Sequence, residues 1–95
     1  MLVNYTADAF GSLVQLINYI ESLNTKGAGL RWLDRYELFL QNSLSRPRHI
    51  KLCHNGSFHR LKLRCIYFNE WVIAFSVNER DILIEAVLHR SRLTN

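Results

Sequence analysis

The first half of the chain has its apolar residues spaced as in amphipathic helices. They recur three and four positions apart in two long segments, each of which would bury one stripe of side chains. Thr6 stands where an N-cap is needed before the first segment, and Pro47 follows the second, where the preceding residue is disfavoured in a helix. The pattern predicts one helix over about residues 6–23 and another over about residues 29–44.

The second half of the chain has the period and composition of β-strands. Residues 71–77 form a nearly continuous β-branched and aromatic run, which is typical of a central strand buried on both faces. Residues 82–88 predict the last strand, and residues 1–5 are apolar and β-branched enough to be an opening strand.

A β-hairpin is predicted at His54-Asn55-Gly56-Ser57, because the Asn-Gly pair favours the positive φ angles of a type I′ turn. In that register Lys51 lies opposite Arg60. The alternation over residues 60–64 then places the basic residues on one strand face and the leucines on the core face. Like charges across a ladder repel each other, so we expect an anionic ligand such as phosphate at this face. A solvated amphipathic strand is the alternative interpretation.

The order of these elements is β-α-α-β-β-β(-β). It predicts an α+β fold in which two N-terminal helices pack on one face of a small antiparallel meander sheet. The chain has 95 residues, of which 48% are hydrophobic and 21% are charged, as expected for a globular protein with a single core. We therefore expect residues 1–95 to form one domain.

The net charge of +4 comes from the central third of the sequence. No acidic residue occurs between Leu38 and Asn69, whereas the segments on either side are almost neutral. The bases of the central segment are Arg46, Arg48, Lys51, Arg60, Lys62 and Arg64. Such segregation is typical of a surface that binds a polyanion.

A second basic group, His89-Arg90-Ser91-Arg92, ends the last predicted strand. If that strand lies beside the central one, both basic groups could converge on one concave face. Guanidinium groups suit a phosphodiester and the charge of its transition state, and RNA supplies a nucleophile in its 2′-hydroxyl. The sequence has no glycine-rich phosphate loop and no Ser-His-Asp spacing, and we expect no cofactor.

The two cysteines are too few for a disulfide framework, and neither has the closely spaced partner of a zinc site. The predicted hairpin also places Cys53 and Cys65 on opposite faces, so we expect no metal. Reduced thiols are the expectation for a cytosolic protein. The longest uncharged stretch, residues 10–20, is too short and too polar to span a bilayer, and the first nine residues lack the basic region of a signal peptide. These features predict a cytoplasmic protein that does not bind membranes.

A family resemblance is carried by three segments of the sequence, Phe58–Arg64, Trp71–Phe75 and Ile82–Arg90. Together they resemble the C-terminal half of the RelE/ParE toxin superfamily. The helical pair predicted before them, with Ile17–Ile20 and the break at Gly27-Ala28, fits the same family, so the resemblance covers essentially the whole chain.

This resemblance implies a toxin of a bacterial type II toxin–antitoxin module, with roles in growth arrest and plasmid stabilisation. RelE-like members cleave mRNA in the ribosomal A site without a metal, whereas ParE-like members poison DNA gyrase. By position, Arg60 and Lys62 match the paired basic residues of a strand, and Arg90 matches an arginine at the end of the last strand. These three and His89 are the predicted catalytic residues. The further predicted RNA-binding residues are Lys51, Arg64, Arg92 and Arg48.

Two departures from the RelE-like pattern keep the subfamily open. Val72 stands where RelE-like nucleases have an arginine, and their C-terminal tyrosine has no counterpart before Asn95. His89 could replace a lost acid or base, or it could be an edge residue that hydrogen-bonds a carbonyl.

The leading expectation is a ribosome-dependent mRNA interferase. The alternatives are a ParE-like gyrase inhibitor and a non-catalytic member that only binds its antitoxin. The expected partners are a small antitoxin from an adjacent gene and either the ribosome with its mRNA or gyrase, in a homodimer or a toxin–antitoxin hetero-oligomer.

Overall fold

The computed structural model describes residues 2–79 and 81–93. In chain order its main elements are β1 (Val3–Tyr5), α1 (Ala7–Leu23), α2 (Ala28–Ser43), α3 (Gly56–Arg60), β2 (Arg64–Phe68), β3 (Trp71–Asn78) and β4 (Asp81–His89). Two 3₁₀ turns, Pro47–His49 and Arg90–Arg92, follow α2 and β4. The strands form one mixed sheet in the order β1-β4-β3-β2, so the α+β class is confirmed.

The edge strand β1 differs from the predicted antiparallel meander. β2, β3 and β4 are antiparallel, but β1 runs parallel to β4, with Val3 opposite Ile82 and Tyr5 opposite Ile84. Parallel neighbours need a long crossover instead of a tight turn, and the whole segment from α1 to β3 supplies it. The antiparallel meander is therefore confirmed for β2, β3 and β4, and β1 joins it as a parallel edge strand.

Side chains cap the start of both long helices. The hydroxyl oxygen of Thr6 accepts a hydrogen bond from Ala9 N–H at 3.1 Å, which confirms the predicted N-cap. The Glu21 carboxylate accepts from the N–H groups of Gly27 and Gly29, at 2.8 Å each, and satisfies donors that the start of α2 would leave unpaired. These bonds, the one from Gly27 first, lower the pKa of Glu21, and they join the end of α1 to the start of α2.

The main core lies between the two long helices and one face of the sheet, which we call the helical face. Its largest fully buried side chains are Tyr36, Ile73, Phe75, Ile82 and Ile84. Side chains alternate along a strand, so the residues between them point to the opposite face, which we call the α3 face. The α3 face carries Cys65, Tyr67, Val72, Ala74, Ala86 and Leu88. Phe58 of α3 packs there in a second, smaller core with Cys53, Leu63 and Ala74.

The predicted hairpin is wrong, because Asn55 begins a short helix instead of a turn. The Asn55 side chain accepts a hydrogen bond from Phe58 N–H at 3.2 Å as the N-cap of α3. Leu52 bridges Arg64, and not residue 59 as the two-residue loop requires. Asn-Gly favours a tight turn, but Asn is also a preferred N-cap, and here the helix lets Phe58 reach the second core.

The predicted basic strand over residues 60–64 is also wrong. Arg60 ends α3, Lys62 has a φ of 59° in the following turn, and β2 starts only at Arg64. Leu61, predicted on the core face, is 68% exposed, whereas Leu63 is buried. The cations therefore do not form a single row on one strand face.

The prediction of reduced thiols on opposite faces is wrong as well. Cys53 and Cys65 form a disulfide across twelve residues of sequence, with their Cα atoms 4.9 Å apart. The bond closes a ring around α3 and fastens it to β2 on the α3 face. Disulfides persist in oxidising compartments and are uncommon in the cytosol. The disulfide therefore gives no support to the cytoplasmic location, which stays a prediction. Along the described ranges no helix has both the length and the apolar character needed to cross a membrane.

Candidate nucleic-acid interface

The basic segment, residues 46–64, runs from the end of α2 to the α3 face, and two of its bases hold it in place. Arg48 donates a hydrogen bond to the carbonyl oxygen of Glu79 at 2.9 Å. The guanidinium of Arg64, which is half-buried, donates to the carbonyl oxygen of Ile50. Both predicted RNA-binding residues therefore have structural contacts that would compete with a phosphate.

The other four bases of this segment are exposed, and their side chains have no partner among the described residues. They are Arg46, Lys51, Arg60 and Lys62, which we call the free cations. Within residues 2–79 and 81–93 the only carboxylate within 4 Å of a basic side chain is that of Glu70, beside His89, so no described carboxylate pairs with a free cation. Uncompensated cations on one segment create the positive potential that attracts a polyanion.

Arg90 adds a further cation at the other end of β2. Its guanidinium carbon lies 5.8 Å from the centroid of the Tyr67 ring, a cation–π contact on the α3 face. The backbone N–H of Arg90 donates to the carbonyl oxygen of Glu70 at 2.8 Å, which fixes the start of the last 3₁₀ turn beside the β2–β3 turn. Tyr67 is 42% exposed, although the two residues flanking it pack into the helical core.

His89 points to the helical face, away from Arg90. Its ring packs edge-on against Trp71 with centroids 5.1 Å apart. Nδ1 accepts the backbone N–H of Ser91 at 3.1 Å and lies 2.8 Å from the Ser91 hydroxyl oxygen. Since Nδ1 is an acceptor, the neutral ring carries its proton on Nε2, which lies 3.4 Å from a Glu70 carboxylate oxygen. Both ring nitrogens are therefore engaged in holding the last turn.

A cleft of about 640 Å³ opens beside His89, between α1 and the end of the sheet. Its polar lining includes Ser12, Gln15, Tyr19, Glu70 and Arg92. Arg92 is exposed and faces this cleft rather than the Tyr67–Arg90 contact.

The structure thus divides the predicted site residues into three groups. Arg60 and Lys62 lie before β2 with the other free cations, Arg90 lies over Tyr67 near the end of β2, and His89 lies with Arg92 on the other side of the sheet. Arg60 and Lys62 belong to α3 and the turn after it, which packs through Phe58 on the same side of the sheet as Tyr67. These two cations and Arg90 are therefore on the α3 side of the sheet, which His89 does not face.

Tyr67 is the site residue that sequence reasoning missed. The predicted hairpin and basic strand covered residues 50–64. For residues 65–68 no prediction was made of which side chains face the core. The available signal was the alternation of Ile66, Tyr67 and Phe68, in which the amphipathic tyrosine takes the position opposite two purely apolar neighbours.

The described residues contain no group of three or more histidine, cysteine, aspartate or glutamate side chains placed to share a metal ion. Both cysteines are occupied by their disulfide. The candidate chemistry of the interface is therefore that of guanidinium, ammonium and aromatic groups.

Comparison of the sequence with models of protein families finds no match, and comparison with curated proteins finds no significant similarity.

Proposed function

We propose that this chain is the toxin of a bacterial type II toxin–antitoxin module that binds mRNA on the ribosome and cleaves it. The observation that carries the proposal is the set of free cations together with Arg90, none of which pairs with a described carboxylate. The sequence resemblance to RelE/ParE toxins and the order of two helices before a three-stranded antiparallel meander support the same proposal.

The chemistry would rest on positioning and charge. The free cations would hold the phosphates of the strand, and Arg90 would stabilise the negative charge that develops on the scissile phosphate. The 2′-hydroxyl of the RNA would be the nucleophile, so a bound metal is not required for attack. His89 faces away from Arg90, and its role as a proton carrier stays a prediction.

The antitoxin would have to neutralise this face and cover apolar surface. Exposed apolar side chains occur on both long helices, at Phe10, Val14, Tyr19, Leu23, Leu30 and Leu38. A small protein with an acidic C-terminal segment, encoded by an adjacent gene, fits these surfaces by charge and by polarity.

A gyrase-directed, ParE-like toxin is the second candidate, and Val72 favours it. The position where RelE-like nucleases are expected to carry an arginine holds a fully buried valine. A buried aliphatic side chain cannot contact phosphate, so the α3 face has one basic group fewer than the nuclease pattern implies.

Induced expression separates the two candidates. For an interferase we expect translation arrest with mRNA cut inside codons, mapped by primer extension.

Arg90→Ala should lower the rate of cleavage by about 10²–10³-fold, the usual cost of one preorganised donor, while antitoxin binding survives. His89→Gln should give a partial, pH-dependent loss if His89 transfers a proton. The matched control is Arg35→Ala, at an exposed base of α2. Full toxicity of the Arg90 and His89 variants, with supercoiling by purified gyrase inhibited, would replace the interferase by the gyrase inhibitor.

Salt dependence tests the free cations directly. Each lost contact to a single-stranded phosphate should lower the log–log slope of affinity against salt by about 0.7, so Arg60→Gln/Lys62→Gln should lower it by about 1.4. Arg35→Gln should leave the slope unchanged. An unchanged slope in the double variant would remove Arg60 and Lys62 from the interface.

A further inference from the structure

Tyr67 differs from the other exposed aromatic residues of the described chain. Phe10, Tyr19 and Tyr67 are the aromatic side chains more than a third exposed, and the first two lie on α1. Tyr67 alone among them lies on the sheet, and it alone has a described cation over its ring. An exposed aromatic ring with a guanidinium beside it combines the two kinds of group by which proteins bind single-stranded nucleic acids, namely a ring that stacks on a base and a cation that contacts the phosphate.

The sheet holds this ring in a defined position. Tyr67 pairs with Val72 of β3, which is fully buried, and its neighbours Ile66 and Phe68 are fixed in the helical core. The strand therefore cannot rotate to bury Tyr67 without removing both neighbours from that core. The hydrogen bond to Glu70 fixes the backbone of Arg90, so its side chain starts beside the Tyr67 ring.

We propose that Tyr67 and Arg90 form a stacking subsite for one unpaired base of single-stranded RNA. The base lies against the Tyr67 ring, and the guanidinium of Arg90 contacts the phosphate attached to that nucleotide. The free cations before β2 hold phosphates further along the same strand. A duplex is excluded from the subsite because its bases are stacked inside the helix. This inference rests on the proposed RNA-binding function and adds a preference for unpaired bases.

The experiment measures binding of the purified full chain to three labelled probes of equal charge at low salt. The probes are a single-stranded RNA octamer, the same octamer with abasic sugars, and an RNA duplex with the same number of phosphates. We expect the base-containing single strand to bind more tightly than the abasic strand. Loss of one stacked base costs about 5- to 150-fold in affinity, so Tyr67→Leu should weaken octamer binding by that factor and leave abasic binding unchanged.

Two variants keep this result specific. Tyr67→Phe retains the ring and should bind as the original chain does. Phe10→Leu removes a more exposed aromatic ring, 56% accessible, from α1 and should have no effect. Thermal unfolding of each variant shows whether it is folded, and the comparison of base-containing with abasic RNA on the original chain needs no variant.

Each contrary outcome has a distinct meaning. Equal affinity of the original chain for base-containing and abasic strands would overturn the stacking subsite and leave the RNA-binding proposal intact. Preference for the duplex would show that the Tyr67 ring only packs against Arg90 and does not stack on a base, and would likewise overturn the subsite. Absence of binding to all three probes would overturn the proposed RNA-binding function itself.

Discussion

The phenol oxygens of Tyr5 and Tyr36 lie 2.9 Å apart, so one hydrogen bond joins the edge strand β1 to the middle of α2. Tyr36 is fully buried and Tyr5 is only half-buried. Burial raises the pKa of each phenol, which keeps both hydroxyls protonated at neutral pH. The two hydroxyls share one hydrogen bond but differ in burial, and this difference should affect the free energy of unfolding.

Replacing the two tyrosines should therefore cost unequal amounts. Tyr5→Phe leaves the buried Tyr36 hydroxyl without a partner and should lower the free energy of unfolding by about 1–3 kcal/mol. Tyr36→Phe leaves the Tyr5 hydroxyl, which can turn to water, and should cost about 0.5–1.5 kcal/mol. Urea unfolding of both single variants and of the double variant measures the difference. A larger loss in Tyr36→Phe would contradict this assignment.

Substitution by alanine at two glycines should change the stability of the protein in opposite directions. A Cβ at Gly11 would meet no atom within 4 Å, so Gly11→Ala should stabilise α1 by about 0.5–1 kcal/mol. A Cβ at Gly29 would lie 2.7 Å from the carbonyl oxygen of Ile17 on α1, so Gly29→Ala should force the helices apart and cost about 1–3 kcal/mol. Thermal unfolding of the two variants checks the signs. Stabilisation by both would mean that the helices are not in close contact at Gly29.

Glu21 should make stability depend on pH in the acid range. Its hydrogen bonds from Gly27 and Gly29 lower its pKa in the folded protein below the ordinary value of a glutamate. A lowered folded pKa gives stability that is present above the unfolded pKa and is lost as the pH falls through the folded pKa. Glu21→Gln should therefore be less stable at pH 7 and should lose less stability than the original chain on acidification. Urea midpoints at pH 7 and pH 3 test this, with Asp34→Asn, an exposed acid of α2, as the control.

Reduction of the disulfide should destabilise the domain around α3. The bond joins residues twelve apart, and closing a loop of that size contributes about 3 kcal/mol in the chain-entropy model. We expect the urea midpoint to fall when a thiol reductant is added, and expect Cys53→Ala/Cys65→Ala to be insensitive to the reductant. An unchanged midpoint, with thiol assay showing two free cysteines, would indicate that packing of Phe58 alone holds the segment.

Local signals predicted the helices and the last two strands well. Thr6 caps α1 as expected, and the apolar spacing located both helices to within a residue or two. β3 and β4 were predicted from short apolar runs rich in β-branched residues. The direction of β1 was not predictable in this way, because it depends on a partner about eighty positions away in sequence.

The hairpin and the basic strand were wrongly predicted for residues 50–64 because two local preferences compete there. Asn55 suits both a type I′ turn and an N-cap, and the choice is decided by Phe58 and the disulfide, which belong to the tertiary structure. The charge of the candidate interface was predictable from composition. Its arrangement was not, since Tyr67 and Arg90 meet only when β2 and β4 flank β3.

The pairing of β1 with β4 has a consequence for the growing chain during translation. Val3 has no strand to join until Ile82 has been made. At 5–20 residues per second these two positions are synthesised roughly 4–16 s apart. The same late strand delivers Arg90 to Tyr67, so a nascent chain lacks both its closed sheet and its cation pair until synthesis is nearly complete. A ribosome that stalls before β4 would thus hold an incomplete sheet.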